Sequence, residues 1–333
     1  MKLVRIYEYG GPEVLKIEDA EKPSAGKNEV VIEVHAIGVN YAEIQQRKGI
    51  YPFPISLPSV MGQWAVVAGT IVEIGEGVQS LHIGAYVIAQ VPSGAYAEYV
   101  VVPEYLLVPA PQGISPEQAT TLLTQGQTAF HTLMTAGKMQ TGETVLIHAA
   151  AGGVGSLAIQ IAKACGAGIV IATAGSSEKR SLTLELGADY AIDYNDPDWS
   201  RQVMDIAGWK GPDLILDSAG GVILESSLKI LAPFGRLVYY GSASARSTSW
   251  DQAELVDILA NKTIIGFNIA HLLESNPNHA KTGIESLFSL IASGRVKPIV
   301  QHILPLEDVA MAHQLIESRQ TVGTLVLKPS SLV

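Results

Sequence analysis

Cysteine is nearly absent from this chain: of 333 residues, only Cys165 is one. A disulfide framework within the chain is excluded, and so is a four-cysteine zinc site. Basic residues are also short, with 22 Lys and Arg against 32 Asp and Glu and a net charge of −10. That balance offers no footprint for nucleic acid or for an anionic membrane surface. The eight histidines, at 35, 82, 131, 148, 271, 279, 302 and 313, fall at no metal-ligand spacing. They read as surface or satisfied core residues. Charged residues are only 16% of the chain and hydrophobic ones 47%, which marks a globular core and not a disordered segment. The opening "MKLVRIYEYGG" alternates charged and apolar side chains and lacks a signal peptide's apolar centre. The most apolar stretch, 145–173, is interrupted by His148, Gln160 and Lys163, so it reads as strand, turn, helix and strand instead of a membrane span. A cytoplasmic protein is the expectation. Cys165, inside that helical pattern, reads as a small buried hydrophobe.

The length calls for two domains, and the two halves are patterned differently. Up to about Pro111, short strands dominate: "EVVIEVHAIGV" (29–39), "VVAGTIVEIGEGV" (66–78) and "AYAEYVVVP" (95–103) are β-rich and punctuated by Gly and Pro. The only useful helical period there lies around Tyr41–Arg47. A compact antiparallel barrel is expected. Ser115, Pro116 and Gln118 then form a capping-box signal. After it, strands and helices alternate: "TVLIHA" (144–149), "GIVIAT" (168–173), "YAID" (190–193), "DLILD" (213–217), "RLVYYG" (236–241) and "TIIGF" (263–267). Six short strands with helices between most of them specify a doubly wound parallel sheet. Beyond Ala280, two further helices and two strands either extend that sheet or return to the first domain.

The first strand of the six runs into "AAAGGVG" (149–155) and then a helix. In G-x-G-x-x-G terms the key positions are Ala150, Gly152 and Gly155, with Gly153 in addition. Such a turn brings backbone close to a pyrophosphate and aims a helix N-terminus at it. A dinucleotide is therefore expected on Ala151, Gly152, Gly153, Val154 and Gly155. The second strand ends in "TAGSSEKR" (173–180), with no carboxylate at the tip to accept from an NAD ribose. Ser176, Ser177, Lys179 and Arg180 stand there instead, and suit the 2′-phosphate of NADPH. The alternative is that Lys179 and Arg180 only solvate the next helix.

The segment "GVNYAEIQQRKGIYPFPISLP" (38–58), together with "AAAGGVG", resembles the medium-chain dehydrogenase/reductase superfamily. Within it, the zeta-crystallin-like quinone oxidoreductases are the most similar. Gly38, Val39, Asn40, Arg47, Gly49, Tyr51 and Pro52 match the family pattern, with Glu43 where aspartate is usual. "GQTAFHTL" (126–133) and "LPLEDVAMAHQLIESRQTVG" (304–323) resemble further family blocks, so the likeness spans essentially the whole chain. "GQWAVVAG" (62–69) departs from it, being longer and lacking the family's glutamate. The resemblance implies a Rossmann sheet at 123–267 inserted into a chaperonin-10-like (GroES-like) β-barrel domain made of 1–122 and 268–333. It also implies a homodimer joined at sheet edges, with "TIIGF" as the candidate edge.

The same resemblance implies site residues. Asn40, Arg47 and Tyr51 would be the catalytic wall, with Arg47 supplying positive charge or simply pairing with Glu43. Asn40 and Thr128 would lie at the nicotinamide end of the cofactor, Ser176, Lys179 and Tyr194 round the 2′-phosphate, Gly241 and Ser242 near the cofactor, and Phe267 and Asn268 beside the nicotinamide. Packing is the alternative reading for Thr128 and Tyr194. The zinc alcohol dehydrogenases of the superfamily carry cysteine at the position of Asn40 and histidine at that of Gln63, so no catalytic metal is expected. The implied reaction is direct hydride transfer from NADPH to a quinone in an interdomain cleft. Two rivals remain: reduction of an enone or enal with the same cofactor, and a non-catalytic NADPH- or RNA-binding crystallin-like protein.

Overall fold

The computed structural model of the chain describes residues 1–241 and 256–329. Eight strands come first: β1 (Lys2–Ile6), β2 (Lys16–Asp19), β3 (Glu29–Val39), β4 (Ser59–Val60), β5 (Val66–Ile74), β6 (Tyr86–Gln90), β7 (Tyr99–Pro103) and β8 (Leu107–Pro109). Six more follow: β9 (Thr144–Ile147), β10 (Ile169–Thr173), β11 (Tyr190–Ile192), β12 (Leu214–Asp217), β13 (Arg236–Tyr239) and β14 (Thr263–Gly266). The last two are β15 (Val300–Pro305) and β16 (Thr324–Lys328).

The chain divides into two compact units, Met1–Thr124 with Ile299–Val333, and Gln125–Pro298. In the first, a seven-stranded sheet runs β15-β16-β3-β5-β6-β8, with β7 also on β3, and a small sheet runs β2-β1-β4. All pairs are antiparallel except β15 with β16. The eleven residues of β3 are the spine because three strands pair with it. Its Val30, Ile32, Val34 and Ile37 enter the core with Val67, Ile71, Tyr96 and Leu325. The tail thus rejoins the first unit, which resolves the choice left open by its pattern: β16 pairs with β3 and not with the six-stranded sheet.

In the second unit the order β11-β10-β9-β12-β13-β14 is that of a doubly wound parallel sheet. Ile171, Leu146, Ile215 and Leu237 stand in one row across four strands, each fully buried. Their neighbours Ala172, Ile147, Leu216 and Val238 form a second row, also fully buried. Two covered faces explain why these strands read as unbroken apolar runs and not as alternating ones. Gly166 (φ 91°) and Gly187 (φ 105°) stop the helices Gly153–Ala164 and Ser177–Glu185 in the left-handed region. Cys165 is half-buried at the first of these ends, and burial raises its thiol pKa.

The structure puts the return to the first unit at Ile299, not at residue 268. Residues 268–298 pack on the second unit for two visible reasons. Helix Pro277–Ala292 crosses helix Gln127–His131 at Gly283, where a Cβ would lie 2.2 Å from His131 Nε2. Beyond it, Gln160 accepts from the Lys297 N–H at 2.8 Å and donates to the Lys297 carbonyl at 3.0 Å.

Arg236 closes the edge opposite the glycine turn. Its guanidinium donates to both carboxylate oxygens of Glu143 (2.8 and 2.7 Å) and to the Gly137 carbonyl (2.8 Å). Burial works against the Glu143 carboxylate, but the Arg236 bonds and charge win, so its pKa is lowered from 4.5. A depressed carboxylate stabilises the fold above its unfolded pKa, and that contribution is lost as pH falls through the folded value. Glu143→Gln should therefore cost about 1.5–3 kcal/mol at pH 7. In urea titrations the gap from wild type should close below about pH 4. A gap independent of pH would show that the charge is not what Arg236 holds.

Candidate active site

The glycine turn begins where β9 ends. Ala149 (φ 48°) turns the chain, the Gly152 carbonyl accepts the Ser156 N–H at 2.9 Å, and the helix starts at Gly153. First-turn amides of a helix have no acceptor four residues back, so those of Gly153, Val154 and Gly155 are presented outward with the positive end of the dipole. Gly155 allows no other residue without movement. A Cβ there would lie 2.6 Å from both the Ala149 carbonyl oxygen and Ala150 Cα, which are backbone atoms. At Gly153 a Cβ would lie 2.3 Å from Gln125 Oε1, so Gln125 covers the turn. Ala150 and Ala151 are buried beneath it, where small side chains are needed.

His148 fixes the turn from below. Its Nδ1 meets Thr173 Oγ1 at 3.0 Å and its Nε2 meets Ser227 Oγ at 2.8 Å, with the ring edge-on to Trp199. Burial lowers its pKa, so the imidazole is neutral. Across the switch between β9 and β12, Asp217 is fully buried. Its Oδ1 accepts from the Ala219 and Gly220 N–H groups at 2.7 and 2.9 Å, and its Oδ2 has no hydrogen-bond partner among the described residues. Neither Gln125 nor Asp217 was legible as a site residue; their signal is spatial.

At the tip of β10, Ser176 caps the helix Ser177–Glu185, its Oγ accepting from Lys179 N at 3.3 Å. Gly175 passes under Tyr194, whose hydroxyl would lie 2.6 Å from a Cβ there. Tyr194 and Lys179 are half-buried. Arg180 is not available in the way the sequence reading assumed. Its Nη1 is held by Asp193 at 2.7 Å, the residue after β11, and Asn195 also donates to that carboxylate at 3.0 Å. Ser176 thus meets the Lys179 N–H, Tyr194 stands over Gly175, and Arg180 ties the same tip to Asp193.

Gly241 follows β13, where a Cβ would make ordinary 3.5 Å contacts with Ser218, so no close approach forces glycine. Ser242 lies outside the described residues. Phe267 follows β14, stacked on His131 with centroids 6.4 Å apart, and Asn268 caps helix Ile269–Ser275 through Ala270 N at 2.9 Å. Residues 268–280 are thus largely helical. Thr128 is buried one turn before His131, and its carbonyl accepts from Thr132 Oγ1 at 2.7 Å. Burial, helped by the charge of His279, lowers the His131 pKa to about 4.

In the first unit, Asn40 caps helix Tyr41–Arg47 in a reciprocal capping box: its N–H donates to Glu43 Oε2 at 2.5 Å and its Nδ2 to Glu43 Oε1 at 3.2 Å. Burial raises the Glu43 pKa to about 7 against the pull of those bonds. Arg47 does not pair with Glu43. Its side chain is 0% exposed and its Nη2 donates to Glu317 at 2.7 Å, because helix Val309–Glu317 packs against this face. A side chain so enclosed is not presented to a substrate. Tyr51 is half-buried beyond the helix, with Phe53 edge-on at 5.9 Å. At the metal test positions stand the amides Asn40 and Gln63, and among the described residues no group of three His, Cys, Asp or Glu can hold a metal ion. The donor set does not fit zinc.

The close approach at Gly155 generates one expectation. Gly155→Ala should lower stability by about 1–3 kcal/mol, the usual range for overpacking, read as a lower urea midpoint. An unchanged midpoint would mean that the turn relaxes freely around a methyl group.

Two families match parts of the chain: the alcohol dehydrogenase GroES-like domain over residues 26–112 and zinc-binding dehydrogenase over 153–285. A quinone oxidoreductase of Pseudomonas aeruginosa is 35% identical, covering 98% of this chain and 99% of its own. A 2-haloacrylate reductase of Burkholderia is 32% identical, covering 98% of each. The crystal structure of Escherichia coli quinone oxidoreductase complexed with NADPH superposes with a TM-score of 0.91 at 32% identity, covering 99% of this chain and 100% of that one. A GroES-like unit, a doubly wound sheet opened by a glycine turn, and full-length identity of this order place the chain in the zeta-crystallin-like quinone oxidoreductases of the medium-chain dehydrogenase/reductase superfamily, as an NADPH:quinone oxidoreductase-type enzyme.

Proposed function

We propose that this protein binds NADPH and transfers hydride directly to a quinone, without a metal and without a covalent intermediate. The observation that carries the reading is the β10 tip, where Ser176 Oγ accepts the Lys179 N–H, Tyr194 stands over Gly175, and the two nearby carboxylates are already engaged, Asp193 by Arg180 and Glu178 by Ser177. Residues Ala151–Gly155 hold the pyrophosphate on the first-turn amides. Ser176, Lys179 and Tyr194 hold the 2′-phosphate, Gly241 and Ser242 border the cofactor, and Thr128, Phe267 and Asn268 flank the nicotinamide. NADPH, when bound, supplies a hydride. A quinone accepts hydride as a delocalised aromatic anion, so donors and orientation suffice where a simple carbonyl needs a Lewis acid. Asn40 and Tyr51 are the residues assigned to the acceptor, Tyr51 as hydrogen-bond donor to the developing oxyanion. Arg47 passes from catalysis to support. A homodimer joined at β14 completes the reading, since that strand is the sheet's edge.

The second reading is reduction of an activated carbon–carbon double bond, favoured by the likeness to the Burkholderia 2-haloacrylate reductase. It uses the same cofactor and the same donors.

Lys179→Ala should weaken NADPH by about ten- to a hundredfold in a fluorescence titration and leave NADH nearly unchanged, the loss of one charge-assisted bond. Equal weakening of both would assign Lys179 to the helix alone.

With a chelator present, wild-type protein should oxidise NADPH with simple ortho- or para-quinones. Tyr51→Phe should slow turnover by about ten- to a hundredfold, or about 1–3 kcal/mol of barrier. No oxidation with any quinone despite bound NADPH, and no deuterium passing from C4-labelled NADPH into an enone, would together leave only the non-catalytic binder.

A further inference from the structure

The segment that carries Tyr51 leaves the helix Tyr41–Arg47 and runs partly exposed. Ile50 is 61% and Phe53 50% exposed. A loop with side chains this exposed opens locally more readily than a core element, so what pins its ends matters. Both ends are pinned, by residues far away in the sequence. At the start, Glu317, the last residue of helix Val309–Glu317, bridges two cations in succession: Arg47 Nη2 at 2.7 Å, and Lys48 Nζ in a second ion pair. The Arg47 carbonyl also accepts the Gly10 N–H at 3.0 Å. Next to it, Gly49 takes φ 68° beneath the Tyr9 ring, and a Cβ there would lie 2.7 Å from Tyr9 Cγ. At the far end, Tyr9 Oη donates to the Ile55 carbonyl at 2.6 Å, and Ile55 is buried. One tyrosine thus spans both feet of the loop, and one carboxylate anchors the first foot.

The ion pair is not an optional surface contact. The Arg47 side chain is wholly enclosed, and its Nε and Nη1 have no protein hydrogen-bond partner among the described residues. A buried guanidinium without its carboxylate is strongly unfavourable, so Arg47 stays inside only while Glu317 faces it.

We propose that Glu317 and Tyr9 are positioning residues for the substrate-side loop 49–55, acting on Tyr51 through Arg47, Gly49 and Ile55. This rests on the assignment of Tyr51 to the acceptor made above. Glu317 and Tyr9 act on where the Tyr51 phenol stands and leave NADPH binding, in the other unit, untouched.

The test combines amide hydrogen exchange with a double-mutant cycle on the full chain. Glu317→Gln should raise exchange across 49–55 by about tenfold or more and leave the β9–β10 amides at their wild-type rates. It should lower kcat/KM for a quinone by about fivefold or more, with the Kd for NADPH within about twofold of wild type. Adding Glu317→Gln to Tyr51→Phe should cost clearly less than it does in wild type, because both changes remove one function. Tyr9→Phe, which deletes only the bond to Ile55, should show the same pattern at about two- to fivefold, and it serves as the readout if Glu317→Gln does not fold. Unchanged exchange across 49–55 in the folded variants overturns the positioning role. So does a fall in kcat/KM that multiplies fully with that of Tyr51→Phe, which is what general destabilisation gives. Raised exchange with unchanged quinone kinetics, in these variants and in Tyr51→Phe alike, overturns the assignment of the loop to the acceptor instead.

Discussion

Everything at the cofactor edge depends on how closely the helix Gly153–Ala164 sits on the end of β9. Gly155 faces the backbone of Ala149 and Ala150 at a distance no side chain tolerates, and that approach brings the first helical turn down to the sheet. Because the sheet is parallel, the ends of β10, β12, β13 and β14 lie along the same edge. Ser176, Asp217, Gly241 and Phe267 each follow or end one of those strands, so residues spread over nearly a hundred positions share one border. The order reverses between β9 and β12, and a crevice at such a reversal is where doubly wound sheets take ligands. His148 makes the border rigid by tying the β9 turn to Thr173 and Ser227 through both ring nitrogens.

The first unit is held by a different device. Its sheet takes strands from both ends of the chain, β3 pairing with β16, and the helices Tyr41–Arg47 and Val309–Glu317 repeat that closure with a buried charge. An enclosed ion pair adds less net stability than apolar packing of the same volume, but breaking one partner is costly. Its effect is therefore on register: helix Tyr41–Arg47 has one depth and one rotation at which Arg47 meets Glu317. The Asn40–Glu43 capping box fixes the other end of the same short helix.

Local features of the sequence carried most of this. Helix Tyr41–Arg47, strand Glu29–Val39 and the Ser115 capping box are specified by neighbours in the chain, and each stands where its pattern placed it. Pairings across the chain were not legible. Arg47 looked like a partner for Glu43, four residues away on one helix, yet the residue that meets it lies 270 positions later. Arg180 looked free for a phosphate, yet the tip of the adjacent strand supplies Asp193. Over 268–280, Asn268, Asn276 and Pro277 interrupt the apolar period, yet the two asparagines are caps and Pro277 opens the second helix. No periodicity distinguishes a cap from a break.

The likeness to zinc-binding dehydrogenases has to be weighed by where it falls. It covers 153–285, which lies in the cofactor unit, whereas the positions that would carry the catalytic metal's ligands, Asn40 and Gln63, are in the other unit. At those positions the chain has amides, and the Asn40 amide is engaged with Glu43. The matched segment shows descent of the cofactor unit and says nothing about a Lewis acid. In the proposed metal-free reaction the acceptor must carry the incoming electron pair largely by itself. Quinones and activated alkenes do so through conjugation, and simple aldehydes or ketones do not. In the proposed reaction the donor set therefore limits the acceptor more sharply than it limits the cofactor, and the choice within that class is assigned to the loop around Tyr51.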